Sequence, residues 1–404
     1  MINPLIAFAI ALGAFGLLLY KRVGLGVSLT VAAFLLGFLT VGFYETFRTL
    51  FGTLQDYNAL TLIFATFAIM MLSQLYKETG LINVLSESLS GLIRNSKLIL
   101  GILPAIIGLM PVAGGALMSA PMVEAEAKKL KLDKVKKTYV NLWFRHTIFP
   151  VYPVSQLLIL TAALTGTTLF SIIYRQIPVV AGMIAIGYFI GLWKAQPSEV
   201  QTKNKNDGAE SRDNNLKGFL FSFSPILVTI FLVAALGVNV AVSAFVGVFV
   251  LAVISRLKFS SLTRILKGWS LYEITLAAFG AFFLRNITIS SGVSDVIGKM
   301  LIQGNLNEAL VLLFPPAVLA FLVGSPSGGI AISVPILAEI VDFTSKSASL
   351  LYMSAYLGYL GSPTHLCLVL TAEYFKCPLS KVYKYMIPSL ILSAILTILV
   401  YLLI

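Results

Sequence analysis

Charge is what this sequence has least of. Only 11% of its 404 residues are Asp, Glu, Lys or Arg, while 58% are hydrophobic. Ordinary soluble domains carry about a quarter charged residues, so a water-facing fold of this size could not hide so much apolar surface. Cysteine and histidine number two each. Cys367 and Cys377 stand in no metal-ligand spacing and lay out no disulfide framework, and both read as small structural side chains. No phosphate-cradling loop of the nucleotide-hydrolase type occurs, so no ATP drive is visible, and neither a cofactor nor a metal-ligand cluster is expected. Acids are outnumbered, 17 against 29 basic residues, for a net charge of +12. In a soluble protein that excess would point to nucleic acid. Here the basic residues sit in loops between apolar runs, the positive-inside pattern of a membrane protein, and no nucleic-acid partner is expected.

What fills the chain is apolar sequence, with a mean hydropathy of +0.93. Runs long enough to cross roughly 30 Å of hydrocarbon recur along it, so the bilayer itself is its surroundings. Spans are predicted at about 3–20, 24–44, 60–76, 138–165 and 169–193, then at 218–236, 238–255, 268–289, 347–374 and 384–404. Residues 2–20 lack a basic leader and a small-residue cleavage site and read as a retained span. The polar stretch 194–217 reads as a flexible cytoplasmic linker between a first half, 1–193, and a second, 218–404.

Each half carries one apolar segment broken by small residues, 98–123 and 309–341. In the first, arms Leu98–Pro111 and Ala116–Val123 flank Gly114 and Gly115. In the second, Ala309–Gly324 and Ile330–Val341 flank Ser325, Pro326, Ser327, Gly328 and Gly329. Each arm is too short to cross, so each pair reads as a re-entrant hairpin. The basic residues test this reading. If the hairpins do not cross, each half makes five crossings and the second half is inverted. One face then collects 23 Lys and Arg, and the other only Arg48, Lys299 and Lys346. Counting each hairpin as one crossing gives 17 to 9. The first split obeys the positive-inside rule better. It puts both termini outside, 194–217 in the cytoplasm, the first hairpin on the cytoplasmic side and the second on the outer side of a multi-pass inner-membrane protein.

Three pairs of segments support a duplication. Residues 114–121 match 328–335, Thr79-Gly80-Leu81 matches Ser291-Gly292-Val293, and 153–162 matches 363–372. The offsets of 214, 212 and 210 keep register. The fold class expected is therefore an all-α polytopic membrane protein: about ten transmembrane helices plus two re-entrant hairpins, in two inverted-topology repeats. Paired interruptions of this kind point to a transport site at the bilayer midplane.

The fourth span of each half is interrupted as well, by Pro150 and Pro153 in the first and by Gly361-Ser362-Pro363-Thr364-His365 in the second. Proline removes a backbone donor and clashes with the preceding turn, so each span should open into two half-helices. Free N–H groups at one end favour an anion and free carbonyls at the other favour a cation. The hairpin tips and breaks together offer Ser119, Ser155, Ser325, Ser327, Ser333, Ser362 and Thr364 hydroxyls, plus the amides of Gly114, Gly115, Gly328 and Gly329. That chemistry suits a small carboxylate; helix–helix packing is the alternative for any single serine. Backbone at Gly114, Gly328, Pro153 and Pro363 is where a sodium ion could sit. Both histidines, His146 and His365, lie at the breaks and could carry a proton, or could be satisfied core residues. Arg145 or Arg285 could face a substrate carboxylate; either could instead snorkel or pair with an acid such as Glu273 or Glu373.

These features resemble the ion-transporter superfamily, which includes divalent-anion:sodium symporters, citrate transporters, C4-dicarboxylate carriers and gluconate permeases. The resemblance covers nearly the whole chain, through the tips at 111–121 and 324–335 and the breaks at 145–155 and 361–365. The Gly-Ser-Pro-Thr-His run at 361–365 is similar to an uncharacterised prokaryotic family in that group. The resemblance implies a secondary transporter of a small organic anion, coupled to H⁺ or Na⁺, with a transport domain moving against a scaffold and a homodimer as the assembly. Many sodium-coupled dicarboxylate members carry Ser-Asn-Thr at both tips; here Val112-Ala113-Gly114-Gly115 and Ser325-Pro326-Ser327-Gly328 stand there instead. Exchange of inorganic anions or of Na⁺ for H⁺, and an intramembrane Ser/His hydrolase, are the rival readings.

Overall fold

The structure is a computed structural model and describes residues 2–93, 95–109, 116–196, 209–303, 307–338 and 340–404. Among them are helices and connecting turns, and no strand. The first half runs α1 (Pro4–Tyr20), α2 (Leu25–Thr40), α3 (Phe43–Thr53), α4 (Tyr57–Glu78), α5 (Leu81–Leu92), α6 (Ser96–Gly108), α7 (Ala116–Lys129), α8 (Lys134–Thr147), α9 (Gln156–Thr165) and α10 (Leu169–Gly187). The second runs α11 (Ala209–Ala234), α12 (Val240–Ile254), α13 (Phe259–Leu266), α14 (Trp269–Ser290), α15 (Val293–Gln303), α16 (Glu308–Val323), α17 (Pro326–Leu337), α18 (Ser345–Gly361), α19 (Leu366–Tyr374) and α20 (Leu379–Leu403).

Five stretches are long and apolar enough to cross a membrane by length and composition: Tyr57–Glu78, Lys134–Thr165 across its break, Leu169–Leu192, Arg212–Ala234 and Leu379–Leu403. Shorter apolar helices, α1, α2, α6, α12, α16 and α17, pack among them. Starts are set by side chains that satisfy open amides, which matters more where water is scarce. Asp56 accepts from Asn58 and Ala59, Asn95 from Lys97 and Leu98, and Thr344 and Ser347 form a reciprocal cap on α18.

Three expectations about the elements change. The span predicted at 24–44 ends at Thr40, because Gly42 turns the chain at φ +86° and a separate α3 follows. The linker predicted over 194–217 is helical from Ala209 onward, so its last turns belong to α11. Four helices of 8 to 12 residues, α3, α5, α13 and α15, lie where loops were expected. Their apolar residues fall on one face, too few in a row to register as a span.

Contacts between helices come in matched pairs. α2 packs on α14 and α12 on α4; α6 on α8 and α16 on α18; α7 on α19 and α17 on α9; α5 on α11 and α15 on α1. In lipid there is little hydrophobic gain from such contacts, so close packing of small residues and interhelical hydrogen bonds must hold them. Gly26 of α2 accordingly lies against the α14 backbone at Glu273 to Ala277, and Gly37 lies against Ile287 of the same helix. Tyr76 donates to the Ser222 carbonyl at 2.8 Å, tying α4 to α11. Trp143 donates to the Met183 carbonyl at 2.9 Å, tying α8 to α10.

Candidate functional site

The second hairpin turns on two residues. Gly324 closes α16 in the left-handed region at φ +67°, and Ser325 is extended. A side chain at Gly324 would run into Thr364. α17 then starts at once: Pro326 fills its first position, where no donor is needed, and Ser325 Oγ accepts from the Gly328 amide at 3.4 Å. Ser327, Gly328 and Gly329, expected in an irregular tip, therefore belong to the first turn of a helix. Ser-Pro-Ser-Gly is a helix start, and that signal outweighs the pair of glycines. Gly114 and Gly115 lie outside the described residues.

The breaks in the fourth spans are present. After Thr147 come a 3₁₀ turn at Phe149–Val151, an extended Tyr152, and Ser155, from which α9 starts without a side-chain cap. In the second half Ser362 to His365 separate α18 from α19. Ser362 Oγ donates to the Phe321 carbonyl at 2.6 Å and lies 2.8 Å from Thr364 Oγ1. The second break is thus sewn to the second hairpin, and both hydroxyls are engaged in holding it.

Between α2, α4, α9, α14 and α17 lies a cavity of about 220 Å³. Leu25, Leu29, Leu62, Leu160 and Ile274 make its apolar wall, and Thr66, Gln156, Glu273, Ser325 and Ser327 its polar lining. The uncapped start of α9 reaches it through Gln156, and the start of α17 through Ser325 and Ser327. Both helices present the positive end of their dipoles. Gln156 donates to the Thr66 carbonyl at 3.3 Å, which leaves its amide oxygen for other partners. Glu273 Oε1 accepts from the Gly26 amide at 3.0 Å and so caps α2, while its buried Oε2 has no hydrogen-bond partner. Its carboxylate lies directly against Gly24, where any side chain would displace it.

The other expected site residues fall into two groups. Ser119 donates to Asn141 Oδ1 at 2.6 Å, and Asn141 donates to the Ala116 carbonyl at 2.9 Å and reaches Thr371 Oγ1 at 3.5 Å. That network joins α7, α8 and α19, the packing alternative for Ser119. Ser333 is buried in the second turn or beyond of α17 and does not line the cavity. Pro153 and Pro363 sit in the turns of the two breaks. Arg145, His146 and His365 form a second buried group: the imidazole centroids are 4.8 Å apart at 86°, and the Arg145 charge acts on both rings. Arg285 lies twelve residues beyond Glu273 on α14, about 18 Å along the helix, so those two do not pair; Arg285 Nη1 instead reaches Asn286 Oδ1 at 3.5 Å.

Glu273, Gln156 and Thr66, which line this cavity, are not among the site residues expected from the sequence. Glu273 did leave a trace, since it is the single acid of α14 in a 22-residue apolar helix. It drew notice only as a partner for an arginine. Cys367 was read as structural, yet its sulfur lies beside both imidazoles.

Residues 5–404 match the family described as "Protein of unknown function (DUF401)". The chain belongs to that family. No curated protein matches it. Among solved structures, one described as the crystal structure of the Alcanivorax borkumensis YdaH transporter, with an unusual topology, is similar at a TM-score of 0.67 and 14% identity. The likeness covers 96% of this chain and 97% of that one, and at such identity it is a likeness of fold.

Proposed function

We propose that this DUF401 member is a secondary transporter of a small, carboxylate-bearing anion, coupled to protons or sodium, and that the cavity at the second hairpin is its substrate site. The observation that carries this is the meeting of two helix starts, α9 and α17, over one cavity with a polar lining. Such ends are ready-made anion sites. The volume, about 220 Å³, equals roughly seven waters at about 30 Å³ each, so the substrate is small.

Glu273 supplies the coupling. An unpartnered carboxylate oxygen beside the cavity repels an anion until a cation or proton occupies it. Coulombic coupling then makes the two ligands bind cooperatively, and linkage requires that each favour the other equally. Neither His146 nor His365 lines the cavity, so the coupling role falls to Glu273. The same fact weakens the Ser/His hydrolase reading.

The matched helix contacts and the uneven distribution of basic residues support the wider picture. In it, two inverted repeats each carry a hairpin, both termini lie outside, 194–217 faces the cytoplasm of the inner membrane, and the chain works by alternating access as a homodimer. Kinship with the ion-transporter superfamily is part of this proposal. The likeness in fold to a structure described as a transporter supports it. A Na⁺/H⁺ exchanger is the second reading, favoured by Glu273 alone.

The test is uptake of radiolabelled lactate and succinate into proteoliposomes of the full chain, under an imposed proton or sodium gradient. Gradient-dependent accumulation is expected for wild type. In Glu273→Gln, exchange at equal gradients should persist while uphill accumulation is lost. Cation exchange without movement of any carboxylate would replace this reading with the second.

A further inference from the structure

We propose that His146, His365 and Cys367 form a site for a soft monovalent metal ion, Cu⁺, which joins the broken end of α8 to the start of α19. The proposal stands apart from the transport cavity and does not rest on the transport reading.

The three side chains are buried, and their ligand atoms all lie within 4.8 Å of one another. His146 comes from the last turn of α8; His365 precedes α19 and Cys367 lies in its first turn. One ion would therefore bind two separate elements. His146 Nδ1 is 2.7 Å from the Leu142 carbonyl. That contact fixes the proton on Nδ1 and leaves the Nε2 lone pair for a metal, the arrangement usual for ligating histidines. His365 is fully buried, and neither of its ring nitrogens makes a hydrogen bond of good geometry. The Leu360 backbone lies close enough to engage one ring nitrogen, and the other is left for a metal. Tyr359, with its ring centroid 4.0 Å from that of His365, and Phe149, 5.7 Å from His146, wall the group with aromatic rings.

The choice of ion follows from donor type and charge. Two imidazoles and a thiolate are a soft set. Metal–nitrogen and metal–sulfur bonds of about 2.0–2.3 Å would place ligand atoms about 3.5–4 Å apart, so the three need close by only about 1 Å. Arg145 already contributes one positive charge beside the rings. A divalent ion would add a net positive charge to a dry interior, whereas Cu⁺ with one thiolate adds none. On binding, the Cys367 S–H bond breaks, its proton passes to the buffer, and a Cu–S bond forms; no electron is transferred.

The test uses the full-length protein in detergent under anaerobic, reducing conditions. Cu⁺ is titrated against a chromophoric chelator, and copper content is measured after desalting. One Cu⁺ per chain is expected, with an X-ray absorption spectrum showing one sulfur and two nitrogen ligands. Cys367→Ser should lower affinity at least 100-fold without changing the metal-free melting temperature, while Cys377→Ser should bind as wild type does. Should Cys367→Ser fail to fold, the spectrum of the wild-type complex decides alone. Wild type that retains no Cu⁺, binding unchanged in Cys367→Ser, a spectrum without sulfur, or preference for Zn²⁺ over Cu⁺ would each overturn the proposal.

Discussion

Where α17 meets α9 a cavity of about 220 Å³ remains; where α7 meets α19, Ser119, Asn141 and Thr371 fill the junction with hydrogen bonds. The two places are built alike, each from a proline-containing helix, α17 or α7, against the second piece of a broken span. Side-chain size and polarity decide which one is left open. At the first, Gln156 turns its donors to the Thr66 carbonyl and Ser325 caps its own helix, so helix starts stay exposed to the space between them. At the second, the Asn141 amide spans the gap and satisfies the Ala116 carbonyl and the Ser119 hydroxyl together. Two junctions of similar helices thus end differently, and a few polar residues decide whether a cavity is left between them.

This contrast can be broken most severely at the second tip. Gly324→Val puts a β-branched residue at φ +67° and drives it into Thr364. It should cost about 3 kcal/mol or prevent folding, read as the midpoint of thermal unfolding in detergent. Next comes the filled junction. Asn141→Leu removes the amide from between the buried Ser119 hydroxyl and the Ala116 carbonyl, leaves them only their mutual 3.2 Å hydrogen bond, and should cost about 1–2 kcal/mol of stability. Lactate affinity should be unchanged in it; a specific loss of binding would show that this junction is a ligand site after all. At the open junction the reverse is expected. Ser327→Ala and Gln156→Ala should each weaken binding about fivefold to tenfold, near 1 kcal/mol, at constant melting temperature. The smallest effect belongs to the Arg264–Glu78 ion pair at 2.6 Å, whose arginine is 71% exposed. Arg264→Ala should change stability by about 0.5 kcal/mol or less, and less still at high salt.

Much of this architecture can be read from residues alone, and the parts that cannot share a cause. Helix starts and breaks depend on local chemistry: Asp56 before α4, Pro150 and Pro153 after α8, and Ser362-Pro363 after α18 all act within a few residues of where they stand. The hydrophobic spans follow from composition in the same way. The site does not. Glu273 is placed by Gly24 and Gly26, some 250 residues away, and the cavity is drawn from five helices of both halves. His146 and His365 stand at the two breaks of the sequence, but their meeting with Cys367 is a product of tertiary packing. The short helices α3, α5, α13 and α15 escaped notice for a different reason: they are amphipathic without being long, and a search for membrane-spanning runs passes over them.

The early start of α11 has a mechanical consequence. Its 26 residues make a rod of about 39 Å, longer than the roughly 30 Å hydrocarbon layer. Asn215 and Gly218 bring its near end against Gly91 and Ser88 of α5. A helix of that length can cross the layer only tilted or with a turn standing clear of it, and the contact with α5 holds that near end in place.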